Sequence, residues 1–102
     1  MKILITGGKS AVALKVLKAF EQHEVIVADY GEVPSFSSSK YQLISLGEKN
    51  EDIIAHVLLN YCLDHGVDAL VPLHEFEIEP IAKSKILFNE FNVSVLLPDE
   101  KR

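Results

Sequence analysis

The sequence predicts an α/β domain built on one open parallel sheet of five strands, with helices on both faces. Three observations lead there. Short runs of apolar residues, such as KILIT at 2–6 and VIVA inside EVIVAD at 24–29, are continuous rather than alternating, as in strands buried on both faces. These runs alternate along the chain with stretches whose apolar residues recur at helical spacing. The length of 102 residues, 48% of them apolar, suits a single domain with one core.

The elements follow in order. Lys2 to Thr6 is a buried strand that ends at Gly7-Gly8. Ser10 is placed to cap a first helix, in which Ala13, Val16, Leu17 and Phe20 share a face while Lys15, Lys18 and Glu21 fall elsewhere. Glu24 to Asp29 is the second strand. Residues 30–40, with Gly31, Pro34 and a run of serines, read as a long loop. Tyr41 to Ser45 is a weaker third strand. Asn50 is placed to cap a second helix with Ile54, Val57, Leu58, Tyr61 and Cys62 as its stripe, and Gly66 sits where a helix C-terminal glycine belongs. Ala69 to Leu73 is the fourth strand. A helix from Glu75 to Phe91 follows, with Ile78, Ile81, Ala82 and Phe88 inward and Asn92 in place of a terminal glycine. Val93 to Leu97, stopped by Pro98, is the fifth strand. Strands and helices in this order make a Rossmann-like sheet with right-handed crossovers, whose strand C-terminal ends form the ligand-facing edge.

Composition excludes several classes. The net charge of −5 argues against nucleic acid as a partner. Residues 1–49 carry six Lys and five Asp or Glu, whereas residues 50–102 carry four Lys or Arg and ten Asp or Glu. The acidic half is densest at Glu75, Glu77 and Glu79. Cys62 is the only cysteine, so no internal disulfide forms, which fits a reducing compartment. No apolar run approaches the ~20 residues of a membrane span, and no signal peptide is read. The expected location is the cytoplasm, with no membrane partner.

The turn after the first strand, GGKS at 7–10, ends like a P-loop. The P-loop's first glycine would fall on Ile3, inside the strand, so the loop that wraps the phosphates does not exist. A dinucleotide fingerprint fits better in the frame Gly8-x-Ser10-x-x-Ala13, with Asp29 as the acidic residue at the end of the second strand. That frame looks like an eroded form of the glycine motif of extended short-chain dehydrogenases and epimerases, with departures at Ser10 and Ala13. Gly7 and Gly8 otherwise simply let the chain turn. A third reading keeps function: the amides at the helix N-terminus attract an anion, and Lys9 adds to the attraction.

The stretch VPLHEFEIEP at 71–80 places His74 and three carboxylates at the start of a helix. Acidic residues there are also favoured by the helix dipole. A zinc motif H-E-x-x-H fails because its second histidine falls on Ile78. His23, His56 and His65 are surface or helix-end residues, and Cys62 on an apolar stripe is core. No catalytic residue and no metal site is assigned.

These pieces together resemble the domain that precedes the ATP-grasp fold in carboxylate–amine ligases of the carbamoyl-phosphate synthase large-chain and biotin carboxylase type. The residues that carry the resemblance are Gly7-Gly8, His23 to Tyr30, Pro34, Asp68 to Pro72, Glu75-x-Glu77 and Pro98, spread over essentially the whole chain. The sequence departs from the pattern at Gln22, Lys9, Ser10 and His74. The resemblance implies a Rossmann-like wall of an active site that touches a small carboxylate or amino-acid substrate. Gly7, Gly8, Glu75 and Glu77 are the positions it carries over; with Lys9, Ser10, Asp29 and His74, read from the residues themselves, they are the expected substrate- or anion-binding positions. It also implies that ATP and magnesium are held by an ATP-grasp domain outside residues 1–102, in cis or on a separate subunit, with no cofactor in this chain. Two other functions stay open: an NAD(P)-binding epimerase or dehydrogenase domain, and a non-catalytic interaction module, including a homodimer.

Overall fold

The computed structural model describes residues 2–7, 11–20, 23–31, 36–37, 41–48 and 53–97. Among these residues ten elements follow one another: β1 (Lys2–Ile5), α1 (Ala11–Ala19), β2 (Glu24–Asp29), β3 (Phe36–Ser37), β4 (Tyr41–Ser45), α2 (Ile54–Asp64), β5 (Ala69–Val71), α3 (Glu75–Lys83), α4 (Lys85–Glu90) and β6 (Ser94–Val95). They form one sheet in the order β3-β4-β2-β1-β5-β6. The β4-β2, β2-β1, β1-β5 and β5-β6 pairs are all parallel. The expected five parallel strands are therefore present in a Rossmann-like order.

The sixth strand is a difference. Phe36–Ser37 lies inside the segment read as a loop and pairs antiparallel with β4. Two residues are too short to leave a periodic signal, so this edge strand was not legible. β5 stops at Val71 rather than Leu73, because Pro72 has no N–H for the ladder. β6 is likewise shorter than Val93 to Leu97. The helix expected over 75–91 is two helices. They part at Ser84, whose amide is shared between the carbonyls of Pro80 (3.2 Å) and Ile81 (3.0 Å).

Each strand sends alternate residues to opposite faces. Leu4, Ile26, Ala28, Leu70 and Val95 pack under α2, α3 and α4 with Leu58, Cys62, Ile81 and Phe88. Ile3, Ile5, Val25, Val27, Ala69 and Val71 face the other way, toward Val16 and Leu17 of α1 and Phe20 just after it. Two inward assignments on α3 need correction: Ala82 is exposed and Ile78 only half-buried. Glu77, one turn before Ile81, takes the inward position instead and is fully buried.

The helix ends explain how the chain re-enters the sheet. Gly66 (φ 64°) and Asn92 (φ 64°) both adopt the left-handed conformation. The following amides, Val67 to Cys62 O (2.8 Å) and Val93 to Phe88 O (3.0 Å), close the same C-terminal motif after α2 and α4. At its other end α2 starts from Ile53 with no side-chain cap, and Asn50, expected as the cap, lies outside the described residues. So do Ser10, Gln22, Pro34 and Pro98.

Candidate functional site

The parallel strands run in the order third, second, first, fourth, fifth, so the chain changes winding direction between β1 and β5. The carboxyl ends of these two strands bound the crevice where open α/β sheets take ligands. β1 delivers Thr6 and Gly7 there, β2 delivers Asp29 and Tyr30, and β5 leads through Pro72 into Leu73, His74 and the first turn of α3.

Glu77 organises this rim. Its side chain has no solvent exposure. Oε1 accepts hydrogen bonds from Thr6 Oγ1 (2.6 Å) and the His74 amide (3.2 Å), and Oε2 accepts from the Tyr30 hydroxyl (2.6 Å). Thr6 Oγ1 in turn accepts from the Leu73 amide at 3.0 Å. One carboxylate thus ties the ends of β1, β2 and β5 together. A buried carboxylate is tolerated only when its lone pairs are met in this way. Its return bond to the His74 amide is the N3-to-N-cap half of a capping box.

Asp29 makes the second tie. Its Oδ1 accepts from the Tyr30 amide and lies 2.8 Å from His74 Nε2. The Asp29 side chain is 5% exposed against 30% for His74. The His74 ring stacks on Phe76 at 4.8 Å and 24°, and Tyr30 tilts against both rings. Burial, reinforced by the hydrogen bond to Glu77 and the nearby Glu77 and Asp29 charges, pushes the Tyr30 hydroxyl well above the usual phenol range. Tyr30 is therefore a neutral donor, not an acid for chemistry.

Gly7 has a structural reason to be glycine. Its φ is 72°, and a Cβ there would meet Leu73 Cβ at 3.2 Å and His74 Nε2 at 3.8 Å. Gly7 and the β5–α3 turn approach each other directly.

Of the expected site residues, Gly7, Asp29, His74 and Glu77 come together. Glu75 is exposed and makes none of the bonds of this cluster. Gly8, Lys9 and Ser10 lie outside the described residues. Glu77 is fully buried, and both its oxygens accept hydrogen bonds within the protein, so here it acts as a strut. Thr6 and Tyr30 were missed. The available signal was parity: Thr6 follows Leu4, and Tyr30 follows Ile26 and Ala28, on the face that α3 covers.

Among the described residues no group of three or more His, Cys, Asp or Glu side chains is placed to hold a metal. Cys62 of α2 is buried in the core, and burial pushes its thiol up to about 12, so it is no nucleophile. Among the described residues no helix is long and apolar enough to cross a membrane.

No protein-family model matches the chain, and no curated protein matches it. Among solved structures it is similar to a mutated uronate dehydrogenase, at 16% identity and a TM-score of 0.43. The match covers 70% of this chain and 38% of that one, so the chain spans well under half the length of the protein it resembles. At that score the likeness adds nothing to the fold established by the strand order.

Proposed function

We propose that this chain is the substrate-side domain of an ATP-grasp carboxylate–amine ligase of the carbamoyl-phosphate synthase and biotin carboxylase type. It is not catalytic alone. ATP and magnesium belong to an ATP-grasp domain in cis or on a separate subunit, and this rim meets a small carboxylate or amino-acid substrate. One observation carries the reading: Gly7 and Glu77, one residue from each of two motifs of the resemblance, lie at one rim, Gly7 against Leu73 and His74 and Glu77 bonded to Thr6, Tyr30 and His74.

An NAD(P)-binding domain is the competing reading, because Asp29 ends β2 where such a domain binds a ribose. Against it, Asp29 is 5% exposed and engaged by His74. A ribose diol needs that carboxylate open.

The test pairs two measurements. Calorimetric titration of the chain with NAD(H) and NADP(H) is expected to show no binding. Joined to or mixed with its ATP-grasp domain, the chain is expected to support ADP release that depends on both a carboxylate and an amine. Micromolar dinucleotide binding that is lost in Asp29→Ala would overturn the proposal in favour of the dehydrogenase or epimerase reading. Self-association with neither activity would favour an interaction module.

A further inference from the structure

A groove of about 410 Å³ lies between the start of α2 and the junction of α3 with α4, and it shares no residue with the rim cluster. The buried Ile54 and Leu59 line it, together with Pro80 and the half-exposed Ile53 and Leu87. The apolar surface continues along α4. Phe88 anchors this helix inward, and Ile86, two positions back, faces the opposite way. Ile86 is 77% exposed, the most open large apolar side chain among the described residues. Phe91 follows Leu87 by four residues, on the same side of the helix, and is half-exposed as well. Beside the groove Lys83 and Glu79 stand one turn apart on α3, 3.2 Å from each other.

Two observations indicate what covers this face. The first is charge. The chain carries a net charge of −5, so two copies repel over most of their surface. Here one carboxylate and one ammonium balance beside an apolar groove. A two-fold axis sets residue i of one copy against j of the other, and j against i. Glu79 and Lys83 can then pair reciprocally, so the face is complementary to itself. The second is area. Ile53, Ile86, Leu87 and Phe91 together expose on the order of 400 Å². Doubled across the axis, and with the charged border added, this reaches the ~1,000 Å² that a specific interface needs.

We propose that this face is where two copies of the chain meet about a two-fold axis, with Ile86 of each copy seated in the groove of the other. The inference goes beyond the ligase reading and does not rest on it.

Sedimentation velocity of the whole chain over a range of concentrations tests it. An interface of this size is transient, so half-dimerisation is expected on the order of 10–100 µM. Ile86→Asp is expected to raise the dissociation constant at least about tenfold. Its urea midpoint and circular dichroism should stay unchanged, because the side chain is already in water. Leu96→Asp is the control: Val95 and Leu97 pack on the α2–α4 face, so Leu96 between them points the other way. It should leave the dimer intact. Glu79→Lys is expected to weaken the dimer about three- to tenfold, and adding Lys83→Glu should restore it, since the reciprocal pairs re-form. A chain that stays monomeric to about 1 mM, or a dimer insensitive to Ile86→Asp, would overturn the proposal. So would a monomeric chain whose binding to a separate ATP-grasp domain is lost in Ile86→Asp, since that domain would then be the occupant. Failure of the swapped pair to restore association would overturn the two-fold arrangement.

Discussion

The two faces of the sheet are built from the same strands and are covered very differently. Toward α2, α3 and α4, Leu58, Ile81 and Phe88 have no solvent exposure. Toward α1, the described side chains that pack on the sheet, Val16 and Leu17 of the helix and Phe20 just after it, are only half-buried. The polar cluster at the rim extends the deep face: Thr6 follows Leu4 on that face, and Tyr30 belongs to the same core as Ile26 and Ala28. Burial is what makes a carboxylate such as Glu77 able to fix geometry. Its bonds to Thr6 and Tyr30 are shielded from water, whereas the Lys83–Glu79 pair, with side chains 74% and 80% exposed, contributes little.

The largest effect that sharpens this contrast is expected from Phe88→Ala on the deep face, at about 3–5 kcal/mol of unfolding free energy in urea titration. Glu77→Met should come next. It strands the hydroxyls of Thr6 and Tyr30 and the amide of His74, each worth about 1–3 kcal/mol when unsatisfied. A loss below about 1 kcal/mol would mean that the network reorganises easily. Gly7→Ala forces a side chain into positive φ beside Leu73 and should cost about 1–2 kcal/mol. Leu17→Ala, on the thin face, should cost only about 1 kcal/mol. A Leu17 effect as large as that of Phe88 would erase the distinction between the faces.

The same burial sets a pH dependence. The folded-state pKa of Cys62 is raised to about 12 and that of Tyr30 is raised further. Both groups ionise earlier in the unfolded chain, near 9 and 10 respectively. Stability is therefore full below pH 9 and falls as the pH rises beyond it. Tyr30→Phe should flatten the part of the decline above pH 10. Below pH 8, Cys62 should react with a thiol reagent only as fast as the protein opens.

Much of this was legible from residues whose physics is local. The five parallel strands announce themselves as continuous apolar runs, and Gly66 and Asn92 mark the helix ends they form. The break at Ser84 was hidden because apolar spacing continues across it. The rim was half legible. Asp29, His74 and Glu77 stood out as polar residues at element ends, but which carboxylate is buried depends on three strand ends meeting in space. Glu77 precedes Ile81 by one turn, so the helical spacing that buries Ile81 buries it too. Glu75 is the more conspicuous acid in sequence and is the exposed one.

The most direct measurement is a double-mutant cycle on the bond that anchors the strut, with Tyr30→Phe, Glu77→Met and the double variant unfolded in urea under one set of conditions. A buried, water-excluded contact predicts that the double variant is more stable than the sum of the single losses by about 1–3 kcal/mol. Losses that add to within about 0.5 kcal/mol would contradict the account, because Glu77 would then not be what holds the ends of β1, β2 and β5 in one rim.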